Sequence, residues 1–87
     1  MKLIAYEDGK ESYRVMVDVG DDYLAMVADA TGVSIEERFD KKRFRNVEHF
    51  EGVIGKFDPD MMFLKKPVDI EFPSFQTIRR VVSELDG

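Results

Sequence analysis

Residues 20–45, GDDYLAMVADATGVSIEERFDKKRFR, decide the fold, because two readings of them lead to different architectures. One continues a β-meander, with strands at 23–29 and 33–39 and Thr31-Gly32 as the turn. The other is helical. Asp21 offers an N-cap to a helix from Tyr23 to Thr31, whose Ala, Leu and Met are good helix formers, and Gly32 is a natural stop. Ser34 and Glu37 then have capping-box spacing, each side chain accepting from the other's free backbone N–H. Glu36 and Glu37 would stand at the positive end of this second helix, with Lys41, Lys42 and Arg43 at its negative end. Val33, Ile35 and Phe39 alternate as a strand does, but Glu37 interrupts their face. Three local signals against one favour the helical reading.

Upstream of that stretch the chain reads as a β-hairpin. Lys2 to Tyr6 is apolar enough for a strand, and Asp8-Gly9 is a hairpin turn signal because both residues tolerate positive φ. From Ser12 to Val19 the pattern alternates: Tyr13, Val15, Val17 and Val19 on one face, Ser12, Arg14 and Asp18 on the other, with Met16 the intruder.

Downstream, Asn46 can cap a helix whose Val47, Phe50, Val53, Ile54 and Phe57 share one face. Gly52 and Gly55 weaken it, which leaves a strand at 50–57 as the alternative. Asp58-Pro59-Asp60 closes a turn or starts a short helix. Pro67 is expected to end whatever precedes it, and Val68, Ile70 and Phe72 then alternate with Asp69 and Glu71 as a half-buried strand near 68–72. Ser74 caps a helix of about 74–85, with Phe75, Ile78, Val81, Val82 and Leu85 as its apolar stripe and Gly87 just past its end.

Composition narrows the function classes. The 87 residues include no Cys, which excludes disulfides, zinc–thiolate sites and thiol catalysis. No apolar run approaches the roughly 20 residues of a membrane-spanning helix. The first residues, MKLIAYEDGK, lack the apolar core of a signal peptide, so a cytoplasmic location is expected by elimination. The net charge of −5 argues against general affinity for polyanions. That average hides a contrast: residues 1–37 carry −6, residues 38–45 (RFDKKRFR) carry +4, and residues 46–87 carry −3.

Candidate chemistry is sparse. His49, the single histidine, has no nucleophile in an elbow context and no second nitrogen donor, although Glu48 and Glu51 flank it. Gly20-Asp21-Asp22, with Asp18 nearby, resembles an acidic metal cluster, but Gly and Asp are also what turns and caps require. Gly52 and Gly55 lack the Lys and hydroxyl of a phosphate-binding loop. Residues 28–34, ADATGVS, resemble the turn of helix-turn-helix DNA-binding proteins. That resemblance implies a buried apolar residue six positions after Gly32, where this chain has Arg38.

The basic octet is the leading site. On a helix, Arg38, Lys41, Lys42 and Arg45 would form one positive face, with Arg43 beside them and Phe39 and Phe44 available to stack on bases. The alternative is a solvated helix end.

These readings combine into one α+β domain, 1–87, with a small antiparallel sheet made of the N-terminal hairpin and the strand near 68–72. Both helices are expected to pack on one face of it. No cofactor, metal or catalytic residue is assigned. The expected function is a non-catalytic protein-binding module, a regulator or inhibitor that occupies a partner surface and uses charge contrast for specificity. The alternatives are nucleic-acid binding through residues 38–45 and an unrecognised small enzyme.

Overall fold

In the computed structural model, which describes residues 1–86, the 20–45 stretch is extended. Strands β1 (Lys2–Asp8), β2 (Ser12–Asp18), β3 (Asp22–Asp29) and β4 (Gly32–Asp40) form a continuous antiparallel meander. A 3-10 turn over Lys41–Arg43 leads into helix α1 (Val47–Phe57). Strand β5 (Met62–Asp69) and helix α2 (Phe75–Asp86) complete the chain, and the sheet order is β4-β3-β2-β1-β5. The α+β class with an antiparallel sheet is therefore what the chain adopts. The helical reading of 23–31 and of the segment after Ser34 is corrected. The segment with helix-turn-helix spacing is the β3–β4 turn.

A β-bulge explains the misleading pattern in β4. Ala25 pairs with Glu37 but Met26 pairs with Ile35, so Glu36 is an extra residue. An extra residue swaps the faces of everything beyond it. Val33 and Ile35 therefore lie on one face of the sheet, and Glu37 and Phe39 on the other. Glu37 does not interrupt a face; the strand changes face at Glu36. The turn before it is held by Asp29, whose Oδ1 accepts from the N–H groups of Thr31 at 2.8 Å and Gly32 at 3.2 Å. Gly32 has φ 141°, a conformation that side-chain-bearing residues rarely adopt.

The hairpin turn keeps its glycine for a different reason from the one expected. Gly9 does not have positive φ. Its N–H donates to the Ser12 carbonyl at 3.0 Å, and a Cβ there would lie 2.6 Å from the same oxygen. Close approach, not handedness, requires the glycine.

Two helices cover two faces, which corrects the expectation of both on one. The connection from β4 to β5 must cross the sheet from one edge to the other, and α1 lies in that crossover. Its Phe50 and Ile54 pack with Ile4, Ala5, Met16, Tyr23, Ala25 and Met61. Helix α2 returns over the opposite face, where Ile78, Val81 and Val82 pack on Leu3, Tyr6, Tyr13, Val15, Val17, Leu24, Met26 and Ala28. Met16 is thus no intruder but the β2 contribution to the α1 face. Leu3 pairs with Val17 and Ala5 with Met16, so Ile4 is a second bulge, and both Ile4 and Ala5 serve the α1 core.

The last strand lies earlier than expected. It spans Met62–Asp69 and not 68–72, and Pro67 lies inside it. Val68 pairs with Leu3 and Phe63 with Ala5, so residues 64–67 bulge out opposite a single β1 residue. Proline is tolerated in a bulge on an edge strand. Both helix caps are as read: the Asn46 Oδ1 accepts from His49 N–H at 2.7 Å, and the Ser74 Oγ accepts from Thr77 N–H at 3.1 Å. The expected role of Gly87 lies outside the described residues. No helix among the described residues is long and apolar enough to cross a membrane.

Gly52 and Gly55 lie on the side of α1 away from its core residues, and a Cβ added to either meets nothing within 4 Å. Neither has positive φ. Replacing each with Ala should therefore stabilise the domain by about 0.5–1 kcal/mol through helix propensity alone. Urea denaturation of Gly52→Ala and Gly55→Ala measures this, with an unchanged m-value expected.

Candidate functional site

The basic octet does not stay together. Arg38 projects from the α2 side of β4, because it pairs with Leu24, and its Nη1 lies 3.6 Å from Asp22. Lys41 reaches the α1 side. Its Nζ is 2.6 Å from Asp18 Oδ1 and 5.0 Å from the centroid of the Tyr23 ring. Burial opposes ionisation of Asp18, but the Lys41 hydrogen bond, the Gly20 amide and the charges of Lys41 and Lys2 outweigh it and hold the carboxyl below its usual value.

Phe44 is half-buried, in T-shaped contact with Phe50 at 5.0 Å and Tyr23 at 6.4 Å, so part of its ring is committed to the protein. Lys42, Arg43 and Arg45 remain exposed, and none of them makes an ion pair among the described residues.

The other chemical candidates have local duties. His49 Nδ1 accepts from the Arg45 N–H at 3.3 Å, which ties the ring to the start of α1. The Asp21 carbonyl accepts from Lys41 N–H at 3.3 Å, and the Asp22 side chain faces Arg38. Among the described residues no three His, Asp or Glu side chains gather as a metal site.

A site does form where α1 ends. The helix covers only part of its face of the sheet. Phe50 anchors the covered part: it is fully buried, stacked on Tyr23 at 4.0 Å, and ringed by Phe39, Phe44 and Phe63. One turn further on, Val53, Ile54 and Phe57 overhang a cleft of about 250 Å³ whose floor is Met16, Ala25 and Phe39. Ala25 is small and leaves room between the helix and the sheet here. Phe57 is 82% exposed, the most exposed large apolar side chain described.

The cleft is rimmed by acids. Arg14, on its β2 wall, donates from Nε to Glu36 Oε2 at 2.7 Å, and its Nη1 lies 2.5 Å from Asp58 Oδ2 and 3.8 Å from Glu7 Oε2. The Glu36 hydrogen bond and these carboxylate charges raise the guanidinium's pKa against the opposing effect of burial, so its charge is permanent. Glu37 also lines the cleft but makes no ion pair among the described residues. Of these carboxylates Glu37 and Asp58 line the cleft, and with Arg14 they leave its lining at −1; Glu7 and Glu36 meet Arg14 from outside it.

Phe39 was read from the sequence as a base-stacking side chain, but the cleft itself was not a candidate. The available signal was the apolar face of α1, which continues to Phe57 beyond what the sheet can cover.

No family model, curated protein or solved structure matches the chain. The functional reading rests on this geometry.

Proposed function

We propose that the chain is a non-catalytic protein-binding module, which regulates or inhibits a partner by occupying part of its surface. The observation that carries this reading is the acid-rimmed cleft beneath Phe57. At about 250 Å³ it is smaller than the roughly 300–1,000 Å³ of small-molecule sites. It suits one bulky apolar side chain, the kind of anchor that dominates protein interfaces. The net −1 lining, with Glu7 and Glu36 on the far side of Arg14, selects lysine or arginine next to that anchor.

The nucleic-acid alternative draws less support from the same geometry. Two of its five cations face internal carboxylates, and Phe44 is half-buried among Phe50 and Tyr23.

The test is an NMR titration with two pentapeptides, Lys-Lys-Leu-Lys-Lys and Glu-Glu-Leu-Glu-Glu. The basic peptide should give saturable shifts at Ala25, Phe39, Val53 and Phe57, with a Kd of about 0.1–1 mM at low salt. The acidic peptide should give none. Equal responses to both peptides, or saturable shifts confined to other residues, would overturn the reading.

A further inference from the structure

The sheet has two edges, and they are built differently. At the β5 edge, residues 64–67 leave regular register, and they include Lys65, Lys66 and Pro67. Bulges, lysines and proline are the usual devices that prevent another strand from pairing. At the other edge β4 runs nine residues, Gly32–Asp40, without a proline; its bulge is the single residue Glu36, regular register holds on both sides of it, and no described strand pairs with its outer side.

The two sides of β4 differ in chemistry. On the α2 side lie Val33 and Ile35, the latter 57% exposed, and Phe72, 67% exposed, shares a concavity with Val33. On the α1 side lie Glu36, Glu37 and Phe39, the last two lining the cleft. The bulge at Glu36 brings two consecutive carboxylates to this edge.

From this arrangement we infer that β4 accepts an added strand from a partner protein, an extended segment alternating apolar and basic residues. This rests on the binding-module reading and specifies its mode. Backbone hydrogen bonds to β4 supply register, and alternate side chains supply specificity. The segment's apolar residues meet Val33 and Ile35. On the opposite parity its cations meet Glu36 and Glu37, and one bulky apolar residue enters the cleft beside Phe39 and Phe57. A second copy of this chain is a poorer fit in the centred register, where antiparallel pairing of β4 with itself sets Glu36 opposite Glu36 and like charges opposed on a sheet repel.

The probe is the heptapeptide Lys-Val-Leu-Val-Lys-Val-Lys, in which lysines and leucine share one parity and valines the other. Its backbone is N-methylated at two residues of one parity, then at two of the other, which removes N–H donors from the ligand and leaves the protein's own fold untouched. Methylation on the parity whose amides face β4 should weaken binding by about tenfold or more, and on the other parity by less than about threefold. Hydrogen exchange should slow at β4 amides between Val33 and Phe39 when the unmodified peptide is bound.

Three outcomes overturn the inference. If both methylated series bind like the parent while binding still depends on Phe57, strand addition is wrong and the module reading survives. If the heptapeptide binds without protecting β4 amides, the mode is likewise wrong. If neither this peptide nor the pentapeptide binds, both readings fall.

Discussion

Phe50→Ala should lower the stability of the domain by about 3–5 kcal/mol, the usual cost of emptying a buried aromatic site. The expectation follows from how α1 is held. Phe50 is fully buried and is the shared neighbour of Tyr23, Phe39, Phe44 and Phe63, at centroid distances of 4.0, 5.7, 5.0 and 6.5 Å. Those residues come from β3, β4, the segment after the 3-10 turn and β5. One side chain therefore ties the crossover to the sheet. Small domains are stable by roughly 5–15 kcal/mol, so the loss is a large fraction of the total. The melting temperature should fall by at least about 12 °C.

Native-state hydrogen exchange gives the sharper test. Amides of α1 should lose protection before those of the β1–β2 hairpin, because the α2 core on the other face retains Leu3, Val15, Val17 and Ile78. Uniform loss across both faces would show that the two cores unfold as one. Phe57→Ala is the control: so exposed a side chain should change stability by no more than about 0.5 kcal/mol.

The parts of the fold that were legible in the sequence are those whose stability is local. Asn46 and Ser74 announced α1 and α2 because a cap is a contact within four residues. The β1–β2 hairpin was legible because its alternation is unbroken over Tyr13, Val15 and Val17. Strands β3 and β4 were not, because Ala, Leu and Met favour helix locally while pairing with β2 decides their state. The bulge at Glu36 then disguised the alternation of β4 by moving it to the other face. Strand β5 was hidden by Lys65-Lys66-Pro67, which reads as loop and is an edge bulge.

The basic octet was correctly seen as a charge contrast, but the sequence did not say that Asp18 and Asp22 would take up Lys41 and Arg38. The cleft was least legible. Its Arg14, Glu37 and Phe57 lie far apart in the chain; the β2–β3–β4 pairing brings the first two near each other and the crossover of α1 adds the third.

Glu37→Lys should reverse the charge selection of the cleft. Glu37 is the one rim carboxylate without an internal cation, so replacing it breaks no described ion pair, and exposed positions of this kind tolerate substitution within about 0.5–1 kcal/mol. Its carboxylate is therefore free to meet a partner's lysine. The variant changes the charge of the cleft lining from −1 to +1, removing one attraction and adding one repulsion. Affinity for Lys-Lys-Leu-Lys-Lys should fall by about tenfold at 20 mM salt, and the deficit should shrink to about twofold at 0.5 M as screening removes both terms. Glu-Glu-Leu-Glu-Glu should bind the variant better than it binds the parent.

Phe57→Ala separates the two halves of the interaction. Its deficit comes from lost apolar contact and should persist at high salt, where that of Glu37→Lys fades. If the Glu37→Lys deficit were independent of salt, or if both variants bound like the parent, the cleft would not be the surface that meets the partner's cations.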